Sequence, residues 1–210
     1  MKLQVAIDLL STTEALTLLH EVAPYVDIIE LGTPLVKQEG LSVVNYIKAA
    51  YPDKLVFADL KTMDTGELEA DLAFNAGADI MTVLGSAGDS TILGAIKSGK
   101  KHSKFVVADM IGVKDRLSRL KELKELGVTW AELHAGLDEQ AQPGYTINHL
   151  LEIGKQAAIP FSIAGGVNIE SIEAVEAAGA IVAVAGHNIY GAKDPAAAAK
   201  HLREKIHKLG

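Results

Sequence analysis

The chain has 210 residues, 49% of them hydrophobic and 22% charged, which is the length and composition of a folded domain and excludes a disordered chain. It has no cysteine, so a disulfide scaffold, a thiolate metal site and a cysteine nucleophile are all excluded. The formal net charge of -7 argues against nucleic acid as a partner. No apolar stretch reaches the roughly 18 residues of a membrane span, and Asp8 interrupts the opening MKLQVAIDLL. Neither a membrane partner nor a signal peptide is read from this, and a cytoplasmic location is expected.

Short apolar runs recur at residues 3–7, 27–31, 55–58, 79–84, 105–108, 130–133, 160–164 and 181–185. They are rich in Val, Ile, Leu and Ala, as suits strands covered on both faces by helices. A helical pattern follows each run. Ser11-Thr12-Thr13-Glu14 reads as a capping box opening the first helix. Asp64-Thr65-Gly66-Glu67 reads as an N-cap and its partner. In the fifth helix Leu117, Leu120, Leu123 and Leu126 form an apolar stripe that Gly127 ends. Asn168 is expected to cap the seventh, with Ile169, Ile172 and Val175 inward, and Asp194-Pro195 opens the last. Gly77, Gly127 and Gly179 sit in similar helix-to-strand turns. Eight such units predict an α/β fold, a (β/α)8 TIM barrel, in one domain over residues 1–210. A doubly wound open sheet is the weaker alternative, because no GxGxxG opens it.

In such a barrel the working face lies at the strand C-termini. The first strand ends at Asp8, the second at Glu30 and the third in Asp59-Leu60-Lys61-Thr62-Met63-Asp64. The fifth ends at Asp109, the sixth at His134, the seventh at Gly165-Gly166 and the eighth at Gly186. Glu30 and Asp59 offer hard oxygen ligands suited to Mg²⁺. Asp59 and Lys61, two apart on a strand, point to one face. A lysine among carboxylates stays charged and can stabilise an oxyanion, and His134 suits proton transfer near neutral pH. Glycines at the last two strands allow close backbone approach to an anion, so a phosphate ester is the expected substrate.

Blander roles compete for several of these residues. Asp8 can be a cap or a surface charge, Asp64 only an N-cap, and Gly165-Gly166 only a turn. His20, His102 and His207 read as solvated or packed, Trp130 as packing, and the basic residues within 200–208 as a solvated helix face. His187 either meets the phosphate or merely follows the glycine. Convergence on one face is what separate bland roles do not predict.

The stretch from Asp59 to Asp64 resembles the D-x-K-x-x-D motif of the orotidine 5'-monophosphate decarboxylase suprafamily. Asp8, Glu30 and Ile163-Ala164-Gly165-Gly166-Val167 are similar to its 3-keto-L-gulonate 6-phosphate decarboxylase / hexulose phosphate synthase branch. His134-Ala135-Gly136-Leu137-Asp138-Glu139-Gln140 and Val184-Ala185-Gly186-His187-Asn188-Ile189-Tyr190-Gly191 resemble the formaldehyde-fixing side of that branch. The resemblance runs over essentially the whole chain. It implies a reversible aldol condensation of formaldehyde with D-ribulose 5-phosphate, giving D-arabino-hex-3-ulose 6-phosphate through a metal-stabilised 1,2-enediolate.

By the same resemblance Glu30 and Asp59 bind Mg²⁺, and Lys61 stabilises the enediolate. His134 is the candidate for the proton transfers, with Asp8 and Asp109 as competing bases. Asp8 and Asp109 also face the substrate, and Gly165, Gly166, Gly186 and His187 receive the phosphate. The family's barrels are homodimers in which the last Asp of the motif enters the neighbour's site, a role that falls on Asp64. The decarboxylases carry arginines where Leu137 and His187 stand, which argues against decarboxylation. That activity remains the alternative, with a barrel that binds a sugar phosphate without turning it over as the reading from another class. A phosphosugar epimerase ranks lowest, since such barrels do not show D-x-K-x-x-D.

Overall fold

The fold is that of a computed structural model, which describes residues 1–206. Its strands are β1 (Lys2–Ile7), β2 (Ile28–Leu31), β3 (Leu55–Thr62), β4 (Ile80–Leu84), β5 (Phe105–Asp109), β6 (Trp130–His134), β7 (Phe161–Ala164) and β8 (Val182–Ala185). Each pairs in parallel with the next, and β1 pairs with β8, closing the barrel. The expected (β/α)8 fold is therefore the observed one.

Two apolar layers hold it. Ile28, Phe57, Ile80, Val107, Trp130 and Val182 fill the barrel interior. A larger layer lies between strands and helices and includes Leu19, Ile47, Ile92, Leu123, Ile163 and Val175. Trp130 is packing, as expected, with its ring 6.2 Å from that of Phe105. No helix among the described residues is long and apolar enough to cross a membrane.

Local punctuation explains how the units repeat. Ser11 caps the helix Thr12–Val22 by accepting from the Glu14 N–H at 3.2 Å, and Asp194 caps Pro195–Lys205 through Ala197. Gly77, Gly127 and Gly179 have φ of 101°, 90° and 92°, the left-handed conformation that returns a helix to the next strand with least strain in glycine.

Three expectations need correction. Thr65, in the left-handed region, occupies the N-cap position of helix Gly66–Asn75 without a side-chain cap bond, and Asp64 accepts from the adjacent Thr65 N–H at 2.7 Å. Asn168 does not cap the seventh helix, which spans Ile172–Ala177. Its Oδ1 instead accepts from Glu170 and Ser171 in the preceding turn, so Ile169 lies outside the helix and is exposed rather than inward. The basic residues near the C-terminus are partly paired, Arg203 with Asp27 at 2.6 Å and Lys205 with Glu173 at 3.1 Å. His207 and Lys208 lie outside the described residues.

Helices Gly66–Asn75 and Asp89–His102 approach through glycine. A Cβ on Gly66 would collide with the Thr91 carbonyl, and one on Gly94 would stand 3.0 Å from the Glu67 nitrogen. Gly66→Ala is expected to cost about 1–3 kcal/mol through forced separation of the helices. Urea denaturation checks this, and an unchanged midpoint would contradict the close-packing account.

Candidate active site

The C-terminal ends of the strands surround a cavity of about 570 Å³. Asp8, Glu30, Asp59, Lys61, His134, Gly165, Gly166, Gly186 and His187 all line it. Asp109 lies just beneath, with no exposed surface. Asp64 is exposed and lines no part of its own chain's cavity.

Lys61 is the centre of the charge arrangement. Its Nζ lies 2.8 Å from Asp59 Oδ2 and 2.7 Å from Asp109 Oδ2. The same Asp109 oxygen lies 3.0 Å from His134 Nδ1. The strand alternation that predicts one face for Asp59 and Lys61 is interrupted. The β3–β4 register shifts between Ala58 and Thr62, and Lys61 has φ 49°. Its N–H donates to Thr82 Oγ1 at 2.9 Å, so the bulge is held by a side chain of the next strand. The bulge, rather than regular pleating, aims the ammonium at the cavity.

Each acid is oriented from behind. Asp59 accepts from Thr82 Oγ1 at 2.8 Å and from Thr33 Oγ1 at 2.7 Å. Glu30 accepts from Gln4 Nε2 at 2.7 Å inside the barrel. Asp8 packs on Gly32, where any Cβ would collide with its carboxylate. Arg116, at the first position of helix Arg116–Leu126, is a poor choice for a helix N-terminus on electrostatic grounds. It is buried and donates to the His134 carbonyl at 3.1 Å, clamping the exit of β6.

The protonation pattern follows from burial and charge. Burial pulls the Lys61 ammonium toward neutrality, but Asp59 and Asp109 outweigh it and hold its pKa above the ordinary lysine value. Burial pushes Asp109 up, yet His134 and Lys61 overcome this and hold it below the usual carboxylate range. His134 is raised because Asp109 outweighs burial. Asp8 is raised by burial and then by Asp59. Glu30 is raised well above an ordinary carboxyl by burial, then Glu132 and Asp59. Glu132, which the sequence reading passed over, is pushed up to about 7 by burial and Asp109.

Crowded, buried carboxyls of this kind call for a cation. Asp109, Glu132 and His134 have possible ligand atoms within 4.8 Å of one another. The Lys61 ammonium already holds the shared Asp109 oxygen there. Glu30 and Asp59, set by Gln4 and by two threonines, are the donors whose hard oxygens fit a divalent ion.

Gly165 and Gly166, which also line the cavity, have consecutive φ of 108° and 84°, a backbone that glycine adopts with least strain. Tyr145 fixes this turn by donating to the Gly165 carbonyl at 2.8 Å, and a Cβ on Gly165 would meet the Ala135 carbonyl at 2.5 Å. Asn188 ties the β7 and β8 loops by donating to the Val167 carbonyl at 2.8 Å. The His187 ring lies over Gly191 and stands edge-on to Tyr190, with centroids 5.4 Å apart.

Sequence reading missed Thr33, Thr82, Arg116 and Tyr145 as well as Glu132. Only Glu132 carried a usable signal, being a charged residue two before His134 inside an apolar strand and therefore on the same face.

The fold and this cluster define a class: a (β/α)8 barrel carrying an acid–lysine–histidine site at the catalytic mouth of its strands. Comparison with known proteins is specific within that class. The family Orotidine 5'-phosphate decarboxylase / HUMPS matches residues 1–202. The 3-hexulose-6-phosphate synthase of Mycobacterium gastri is 64% identical over 98% of this chain and 100% of its own. A crystal structure of a 3-hexulose-6-phosphate synthase superposes with a TM-score of 0.97 at 64% identity, covering 99% of this chain and 100% of that one. The 3-keto-L-gulonate-6-phosphate decarboxylase of Vibrio cholerae superposes with a TM-score of 0.85 at 30% identity, covering 97% and 96%. The chain belongs to the orotidine 5'-phosphate decarboxylase / HUMPS family.

A stability profile tests the charge arrangement. Glu30, Glu132 and His134 bind protons more tightly folded than unfolded, so folding takes protons up. The two carboxyls stabilise the fold most below their unfolded pKa, and His134 does so below its own. All of this is lost as pH rises through the folded values, with Glu132 near 7. Urea unfolding with a chelator present is expected to lose about 1 kcal/mol or more between pH 5 and pH 8. A flat or rising profile would contradict the assignment.

Proposed function

We propose that the chain is a Mg²⁺-dependent aldehyde-lyase that condenses formaldehyde with D-ribulose 5-phosphate to D-arabino-hex-3-ulose 6-phosphate, reversibly. The carrying observation is the Lys61 ammonium held between Asp59 and Asp109, with His134 on the far side of Asp109. The synthase relatives make the aldol reaction the best-supported use of that arrangement.

The residues divide the work by position. The glycine wall at Gly165, Gly166 and Gly186 takes the phosphate through backbone N–H groups, and His187 borders it. That orientation sets the carbonyl end of the sugar toward Glu30, Asp59 and Lys61. Glu30 and Asp59 would hold Mg²⁺. When bound, the ion supplies electrophilic stabilisation of negative charge on substrate oxygens. His134 turns Nδ1 to Asp109, which leaves Nε2 to move the C1 proton. Removal of that proton gives an enediolate, whose charge the Lys61 ammonium stabilises. C1 then attacks the formaldehyde carbon, and the former formaldehyde oxygen takes back the proton that His134 Nε2 removed from C1. Asp109 is committed to Lys61 and His134, so it supports the proton transfer rather than carrying it. Asp8, beside the cavity, is placed to meet the sugar hydroxyls.

Decarboxylation of 3-keto-L-gulonate 6-phosphate is the second reading, supported by the Vibrio cholerae relative. Against it stands Leu137, exposed at the lip of the cavity, where an extra substrate carboxylate would need a cation. A barrel that binds without turnover would need Lys61 only to neutralise buried Asp109, not to present an ammonium to the cavity.

We read the working unit as a cytoplasmic homodimer with Asp64 serving the neighbour's site. Met63 in the motif and Leu68, Leu72 and Leu93 on the two mutually packed helices Gly66–Asn75 and Asp89–His102 are all about half exposed and support a buried contact on this side.

Purified protein with Mg²⁺ and ribulose 5-phosphate is expected to consume formaldehyde and to stop when EDTA is added. Lys61→Ala is expected to lower the rate at least about 100-fold while phosphate affinity stays within a few-fold. Folded wild-type protein that leaves formaldehyde untouched yet decarboxylates 3-keto-L-gulonate 6-phosphate would reverse the ranking. Equal sugar-phosphate binding with no turnover by either protein would favour the binding barrel. For the dimer, mixing inactive Lys61→Ala and Asp64→Asn chains is expected to restore part of the activity; no recovery after demonstrated subunit exchange would remove Asp64 from the neighbour's site.

A further inference from the structure

A ring of buried polar side chains forms the floor of the site, with Glu132 itself at the cavity, where a barrel of this kind is ordinarily apolar. Gln4 on β1, Thr82 on β4, Glu132 on β6 and Ser162 on β7 are all essentially without exposed surface. Two of them have clear tasks. Gln4 donates to Glu30 at 2.7 Å, and Thr82 donates to Asp59 at 2.8 Å. Ser162 donates to Glu132 Oε2 at 3.2 Å, which fixes the carboxyl plane. Glu132 Oε1 has no hydrogen-bond partner among the described residues and lies 3.9 Å from His134 Nδ1. A buried carboxyl oxygen left in that state is costly, so its place under the histidine needs a reason.

We propose that Glu132 is a positioning residue for His134: with the Asp109 carboxylate it forms a two-carboxyl cradle that keeps Nδ1 protonated and turned inward, leaving Nε2 toward the cavity. Trp130, Glu132 and His134 alternate along β6, so Glu132 reaches the ring from below while Asp109 reaches it from β5 at 3.0 Å. The other charges facing the ring are Lys61 from β3, which opposes its protonation, and Asp8 from β1. Burial works against the imidazolium, Asp109 outweighs it, and Glu132 acts in the same direction as Asp109. Glu132 is thus the third case in which the buried polar ring orients a functional group above it.

The inference rests on the proton-transfer role given to His134, but its test does not require turnover. Side-chain ¹⁵N NMR, with His134 assigned from a His134→Gln sample, reads the tautomer and titration midpoint in the full chain without substrate. In the wild type, Nδ1 is expected to carry the proton, with a midpoint above about 6.5. In Glu132→Gln, which keeps size and the Ser162 contact, the midpoint is expected to fall by about half a pH unit or more. The acidic limb of the kcat profile should move with it, and KM for the sugar phosphate should stay within about twofold. Glu132→Asp, which keeps the charge, should restore part of the shift and serves the same comparison if the amide does not fold. An unchanged tautomer and midpoint in a folded variant would overturn the proposal. A shifted midpoint in a protein without aldol activity would uphold the placement and overturn the function instead.

Discussion

One carboxylate holds the site together. Asp109 is wholly buried, and a single one of its oxygens meets both the Lys61 ammonium and the His134 ring. An unpaired charge at that depth would be strongly destabilising, and removing either partner would leave much of that cost exposed. The pairing therefore constrains three strands at once. β3 must bulge to deliver Lys61, β5 must end at Asp109, and β6 must present His134 at matching height. The site then has a fixed ammonium and a fixed imidazole at defined places beside one anion.

The barrel supplies that precision because its parts are short and repetitive. Left-handed glycines end three helices in the same way, so successive strands enter the barrel with little slack. The strands deliver acids on one side of the mouth, while β7 and β8 deliver glycines on the other. In the proposed reaction, a sugar phosphate spanning this gradient would be oriented before any bond changes, which is the larger share of what a rigid site can contribute. Underneath, buried polar groups occupy positions that would otherwise be apolar, and they fix the acids against their mutual repulsion.

The visible part of this in the sequence was whatever interrupts an apolar run. Asp8, Glu30, Asp109 and His134 stand at the ends of such runs, which marks three cavity-lining residues and Asp109 just beneath them. Regular alternation gives Lys61 the right face for an incomplete reason, since it does not anticipate a bulge with positive φ. Glu132 is legible only through its spacing two residues before His134 inside an apolar strand, which puts both on one face. Arg116 looked like an ordinary charged helix residue, because the His134 carbonyl it holds is eighteen positions away. The cap assigned to Asn168 failed for a related reason: its side chain satisfies a turn before the helix, and local pattern does not distinguish the two.

The central claim is that this charge arrangement removes a proton from the carbon next to the sugar carbonyl. Proton NMR of ribulose 5-phosphate in D₂O with the protein and Mg²⁺, and without formaldehyde, addresses that step directly. The account predicts loss of one C1 proton signal by stereospecific exchange, with exchange suppressed in Lys61→Ala and by chelator. Retention of both C1 protons over many enzyme equivalents, in protein that binds the sugar phosphate, would contradict it.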